Sequence, residues 1–287
     1  MKEDDFMKLI HYLYNDEEEI GILDNDYIKP LKVSDFDSLI SSYSLDDLNA
    51  LDKSITNKIK RSDVKPLAFI NKPNADVICA GMNYKEHKDE CVKEGVDTKD
   101  RVASVYFSKR ASYIITSGDI INRHPDITRE CDYEGELGVI LYKDLYNGDS
   151  NQIKDSIFGY VIMNDVSARD MQRYHKQYYF AKSLDTYTVM SEVLVTQDEF
   201  EGYPNLEIKT YVNNELRQHD YTSNMIYSIE DMLEELSDGI TLKKGTILST
   251  GTPSGVGMAM EPKKFLNSGD IIRIEIEDIG ILENKCE

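Results

Sequence analysis

Glu134 and Glu136 stand one residue apart at the head of an apolar run, in the stretch Asp132-Tyr133-Glu134-Gly135-Glu136-Leu137-Gly138-Val139-Ile140. On a strand, alternate side chains share a face, so the two carboxylates point the same way and repel unless something positive lies between them. Spacing alone is weak evidence in this chain. With 53 Asp and Glu in 287 residues, roughly ten acid-x-acid triplets arise by chance, most of them on solvated faces. What sets this pair apart is the segment it enters, Leu137 to Leu141, which reads as a buried strand.

Asp165 is a third candidate ligand. The apolar run Tyr160 to Met163 leads into Asn164-Asp165 and then into a helix beginning near Ser167. A carboxylate placed there either ligates an ion, held by rigid elements on both sides, or merely caps the helix. Three carboxylates with no Cys or His nearby make a hard oxygen site, which suits Mg²⁺ or Mn²⁺, with Ca²⁺ as a further candidate, better than Zn²⁺. Such an ion would chelate a 2-oxo acid and stabilise its enolate.

Other side chains could serve the same chemistry. His87 and Glu90 are three apart in Asn83-Tyr84-Lys85-Glu86-His87-Lys88-Asp89-Glu90. On a helix they share a face, so the carboxylate orients the imidazole as a general base; the bland alternative is a surface pair on an acidic helix. Lys182 and Lys109 follow apolar or aromatic residues. Each either projects into a site, where its charge would stabilise an enolate, or snorkels to the surface. Arg169 and Gln172, one turn apart, could hold a substrate carboxylate and carbonyl. The loop Ser249 to Gly257, STGTPSGVG, can turn its N–H groups toward an anion but lacks the Lys and helix start of a phosphate loop.

These groups need a scaffold. Short apolar runs punctuated by Gly, Asn and Asp fill the chain after Asp76, and helices are predicted over 84–94, 168–178 and 229–238. The pattern is α+β with β dominant. The first seventy residues mix acidic clusters with short apolar groups and read as a small unit without catalytic features. Leu67 to Ile70, framed by Pro66 and Pro73, suits an entering linker strand.

Composition narrows the partners. The net charge of −20 repels nucleic acid and anionic membranes, so a small acidic substrate would need local cations. No run approaches the roughly 18 apolar residues of a membrane span, and the start MKEDDFMKLI is too acidic for a secretory signal. Cys79, Cys91, Cys131 and Cys286 lack CxxC spacing and read as free thiols of a reducing, cytoplasmic compartment, a catalytic Cys being the alternative.

In order and spacing, NYKEHKDE, YFSKRASYIITSGDII, DYEGELGVI, GYVIMNDVSARDMQ, AKSLDT, NNELRQ, STGTPSGVG and FLNSGDIIRIEIEDIGILEN resemble the fumarylacetoacetate hydrolase family from about residue 75 onward. The resemblance implies a mixed β-sheet roll, usually a homodimer, with a small variable N-terminal domain over 1–70 and a catalytic domain over 71–287. It implies a divalent ion on Glu134, Glu136 and Asp165, a catalytic His87/Glu90 pair, a catalytic Lys182, and substrate contacts from Arg169, Gln172 and Thr252. There are two departures. Tyr187 to Glu192 replaces a Pro-Leu-Gly-Pro-like segment, which could reshape a loop near the site, and Asn214 stands where Gly is usual, a mild change because Asn tolerates a left-handed turn.

The function expected on this basis is metal-dependent hydrolysis of a carbon–carbon bond in a small acylpyruvate or related 1,3-dicarbonyl 2-oxo acid. The alternatives on the same site are oxaloacetate decarboxylation or tautomerisation, and isomerisation or hydration of unsaturated 2-oxo dicarboxylic acids. An acidic protein binding Ca²⁺ only to hold its fold is the non-enzymatic alternative.

Overall fold

The computed structural model describes residues 6–95 and 104–287; the first five residues of the acidic N-terminal stretch lie outside them. Among the described residues the backbone is built on a twelve-stranded sheet and a five-stranded sheet, with a two-stranded ribbon beside them. The β-dominated α+β class is as expected.

The centre of the large sheet is the antiparallel pair Gly135–Leu141 and Ile157–Asp165. Every residue of both strands is buried, because each face of the pair meets a different apolar layer. Leu137, Val139, Leu141, Tyr160 and Ile162 join one core, while Ile140, Phe158, Val161 and Met163 join the other. A strand covered on both sides reads as a near-continuous apolar run, which is why these two segments stand out in the sequence.

Ile247–Ser249 pairs with the first of these strands, and Val77–Gly81 lies parallel to it and carries Val105–Lys109 at the edge. On the other side, Val193–Thr196 links the pair to Lys8–Tyr14, and Glu17–Asp24 and Tyr27–Val33 continue the sheet outward. The N-terminal strands thus extend the sheet that carries the site.

The five-stranded sheet contains the hairpin Glu207–Val212 and Glu215–Tyr221. Its turn residues Asn213 and Asn214 both have left-handed φ, 51° and 66°, the conformation a tight two-residue hairpin turn demands. Asn214 is therefore a workable stand-in for Gly.

The helices predicted over 84–94 and 229–238 form as Lys85–Lys93 and Ile229–Ser237, the second capped by Ser228 and Asp231 in a reciprocal capping box. The one predicted over 168–178 ends earlier. Arg169–His175 stops where Lys176 turns left-handed, φ 55°, with its N–H on the Gln172 carbonyl, and a short helix Tyr179–Lys182 follows. That break turns the chain so that Lys182 returns to the Asp165 end of the central pair.

The Tyr187 to Glu192 departure is built into this core. Thr188–Met190 pairs with Met163–Asp165, the Ser191 carbonyl accepts from the Phe69 N–H and the Glu192 carbonyl from the His11 N–H. The segment joins the Asp165 strand to the N-terminal strands, and none of its residues lines the cavity described next.

Candidate active site

Register brings the three predicted ligands together. Gly135 pairs with Asn164, so Glu134 and Asp165 fall opposite each other, and the Asp165 N–H donates to the Glu134 carbonyl at 2.9 Å. Carboxylate oxygens of Glu134, Glu136 and Asp165 all lie within 4.8 Å of one another, and all three residues are buried.

Lys182 answers part of the repulsion. Its ammonium lies 2.6 Å from both Glu134 Oε2 and Asp165 Oδ2, over the face of the Phe107 ring. Arg169 takes the other side, with Nη1 at 2.7 Å from Glu134 Oε1 and Nε at 2.9 Å from Asp132 Oδ2. Burial alone would raise the Glu134 pKa, but the Lys182 and Arg169 charges outweigh it and hold the group well below the usual carboxylate range. In turn, burial lowers and the Asp165 and Glu134 charges raise the Lys182 pKa, the second effect prevailing, so the lysine stays charged.

Glu136 is held differently. It accepts from the Ser249 hydroxyl at 2.6 Å and the Gly251 N–H at 2.9 Å. Burial, with the neighbouring Asp165 and Glu134 charges, pushes its pKa up to about 8. Lys182 and Arg169 pair with Glu134, and Lys182 and Lys109 pair with Asp165, so of the three clustered carboxylates Glu136 is the one without a Lys or Arg partner among the described residues. A hard divalent cation fits the all-oxygen donor set.

The STGTPSGVG loop does offer its amides to anions, and the anions are the protein's own carboxylates. Besides Gly251 to Glu136, the Gly255 N–H donates to Glu90 Oε1 at 2.9 Å, and the Gly257 and Met258 N–H groups donate to Asp132 at 2.8 and 3.0 Å. Gly251 has φ 97°, and a Cβ there would lie 2.8 Å from the Asn83 Cβ. Only glycine brings that amide to Glu136.

His87 and Glu90 form a pair on one helix face, Nδ1 to Oε2 at 3.2 Å, with His87 buried. Burial opposes the charged imidazole, but the hydrogen bonds its ring donates to the Cys91 sulfur and the Glu90 carboxylate, with the field of Glu134, outweigh it and raise the pKa to about 10.

A cavity of about 620 Å³ collects these groups. His87, Glu134, Glu136, Arg169, Gln172, Lys182 and Thr252 line it, with Cys91, Arg173 and Lys176 among their neighbours. Lys109 does not. Its ammonium donates to Asp165 Oδ1, to the Tyr187 carbonyl at 2.5 Å and to the Val166 carbonyl at 3.3 Å, so it fixes Asp165 from the protein side. Asp165 and Glu90 also lie behind the lining residues rather than among them.

Several contributors carry no role in the sequence reading. Asp132 opens the DYEGELGVI stretch and anchors both Arg169 and the loop; Ser249 and Gly251 hold Glu136; Gln218 donates to the Thr252 hydroxyl at 2.7 Å and accepts from the Gly135 N–H at 3.0 Å. Asp132 and Ser249 sit inside quoted motifs, so their position was the available signal.

Comparison with known proteins places this architecture. Residues 76–287 match the fumarylacetoacetate (FAA) hydrolase C-terminal family model, and the chain belongs to that family. It is 42% identical over 224 residues, 78% of this chain and 73% of the relative, to oxaloacetate tautomerase YisK of Bacillus subtilis (strain 168). Its fold is similar to the solved fumarylacetoacetate hydrolase of Exiguobacterium antarcticum, at TM-score 0.86 and 34% identity over 98% of this chain and 99% of that one. It is also similar to 2-hydroxyhepta-2,4-diene-1,7-dioate isomerase of Mycobacterium marinum, at TM-score 0.75 and 26% identity over 98% of both chains. The chain is an enzyme of this family, whose members act on oxo acids. Among the described residues no helix is long and apolar enough to cross a membrane.

Proposed function

We propose that the chain catalyses keto–enol interconversion of a small 2-oxo dicarboxylic acid, oxaloacetate being the first to test, with Mg²⁺ or Mn²⁺ bound by Glu134, Glu136 and Asp165. The observation that carries this reading is the setting of His87. Its ring lies between the Glu90 carboxylate at 3.2 Å and the Cys91 sulfur at 3.6 Å, in surroundings that favour the imidazolium. A protonated imidazole is a proton donor, which ketonisation of an enol needs and activation of water does not. The 42% identity to an oxaloacetate tautomerase supports the same choice.

Each residue has a part. Arg169 Nη2 is buried and makes no hydrogen bond, which suits it to a substrate carboxylate. The exposed Lys176 lines the same cavity and is a second local cation for a dianion, whereas Arg173 beside it is held by Glu130 at 2.7 Å. His87, oriented by Glu90, delivers a proton to C3 of the enol or removes it in the reverse direction. Lys182, lining the cavity beside Glu134 and Asp165, supplies positive charge against the negative charge that builds on the C2 oxygen. When bound, the divalent ion supplies Lewis-acid polarisation of the 2-oxo acid.

Hydrolysis of an acylpyruvate uses the same groups with His87 neutral and drawing a proton from water. Its support is the 34% identity to a fumarylacetoacetate hydrolase. The ultraviolet enol band separates the readings. Metal-dependent decay of freshly dissolved enol oxaloacetate, stopped by EDTA and yielding no pyruvate, is expected. Turnover of acylpyruvates alone, with cleavage products, would replace this reading with hydrolysis, and pyruvate from oxaloacetate would replace it with decarboxylation.

A further inference from the structure

Cys91 lies one turn after His87 on the Lys85–Lys93 helix, and its sulfur is 3.6 Å from His87 Nε2. The other ring nitrogen faces Glu90 Oε2 at 3.2 Å, and Glu90 Oε1 is fixed by the Gly255 N–H at 2.9 Å. In the neutral ring that His87 becomes once it has given up a proton, Nδ1–H is assigned as donor to the carboxylate and Nε2 presents its lone pair to the thiol. Carboxylate, imidazole and thiol therefore stand in series, the order in which a base removes a thiol proton as the sulfur attacks.

Access and a charge partner complete the site. All four cysteines are buried, and of them Cys91 alone lines the cavity. Arg169, only 3% exposed, lines the same cavity with its Nη2 lacking a hydrogen-bond partner. A buried guanidinium nitrogen left unpaired favours an anionic ligand.

We propose that Cys91 is a nucleophilic modification site that takes electrophilic 2-oxo acids, small carboxylates with a reactive carbon beside the oxo group or conjugated to it. With a 2-oxo-3-enoate, the sulfur bonds to C4, the C3–C4 π pair takes up a proton at C3, and that proton is the one His87 removed from the thiol. With a 3-halo-2-oxo acid, the sulfur–C3 bond forms as the carbon–halogen bond breaks, the halide leaves with the bonding pair, and the thiol proton goes to His87 Nε2. Either adduct stands against His87 in the cavity and stops turnover. The site does not depend on whether the normal substrate is tautomerised or cleaved.

The test treats the full-length protein with 3-bromopyruvate, and in parallel with neutral iodoacetamide, each rate being normalised to that of glutathione. Peptide mass spectrometry locates the adducts. The expected result is labelling of Cys91 at least about tenfold faster than of the other three cysteines, with a normalised preference for bromopyruvate, and about tenfold slower labelling in His87→Gln. Glu90→Gln provides the same comparison should His87→Gln not fold, and Cys91→Ser should remove the adduct. Labelling spread evenly over the four cysteines, or a Cys91 rate unchanged in both His87→Gln and Glu90→Gln, would overturn the proposal.

Discussion

The Lys182 ammonium lies 2.6 Å from Glu134 Oε2, and the same nitrogen is equally close to Asp165. One lysine thus holds two carboxylates, Glu134 lining the cavity and Asp165 behind it, without neutralising the third, Glu136. Replacing it by methionine leaves buried carboxylates short of a partner, which costs about 3–5 kcal/mol in a buried pair. Lys182→Met should lower the melting temperature of the metal-free protein and reduce kcat by about 10²–10³-fold, as removal of an oxyanion-stabilising donor does. Calorimetry and steady-state rates on the same preparation check both.

Glu136 ties stability to pH. Its pKa in the fold is about 8 against an ordinary 4.5, so the folded state binds this proton more tightly than the unfolded one. Its contribution is present below about 4.5 and is lost as pH rises through 8. His87 acts with the same sign between its ordinary 6.5 and about 10. The melting temperature of EDTA-treated protein should therefore fall from pH 5 to pH 8.5, more shallowly in Glu136→Gln. Mg²⁺ should raise it strongly at pH 8 and little at pH 5, because the ion competes with the proton on Glu136.

Ser249 sets the position of Glu136 through a 2.6 Å hydrogen bond. Removing a hydrogen-bond partner of a metal ligand typically costs about 10–100-fold in affinity. Ser249→Ala should weaken Mn²⁺ binding by about tenfold, measured by isothermal titration, with little change in the far-ultraviolet circular dichroism.

Asn214 offers a test away from the site. At φ 66° a glycine or asparagine is tolerated, whereas a residue with a bulkier Cβ pays about 1–2 kcal/mol for the left-handed conformation. Asn214→Gly should be near neutral in urea unfolding, and Asn214→Val should shift the midpoint downward without altering turnover of folded enzyme.

Much of this was legible in the sequence because the site uses strand ends. Glu134 and Glu136 flank Gly135, and Asp165 ends the partner strand, so alternation and an apolar run marked the pair and left Asp165 open between ligand and helix cap, and the family resemblance joined the three. Helical spacing put His87 and Glu90 on one face but did not tell a buried pair from a surface one. Lys109 was not legible as a support for Asp165, because an edge-strand lysine beside an apolar residue reads the same whether it faces a cavity or a carboxylate behind it. The hold of Ser249 and Gly251 on Glu136, and of Asp132 on the Gly257 amide, depends on contacts across more than 100 residues of sequence, Ser249 to Glu136 spanning 113, and no local pattern encodes such a pairing. The break at Lys176 was hidden because its left-handed turn is made by a residue that ordinarily continues a helix.

The most direct test of the central claim is proton exchange at C3 of oxaloacetate, followed by NMR in D₂O with enzyme and Mg²⁺ and again after EDTA. Rapid, metal-dependent loss of the C3 proton signal, without pyruvate and abolished in Glu136→Gln, is the predicted result. Exchange no faster than in buffer, while an acylpyruvate is cleaved under the same conditions, would contradict it.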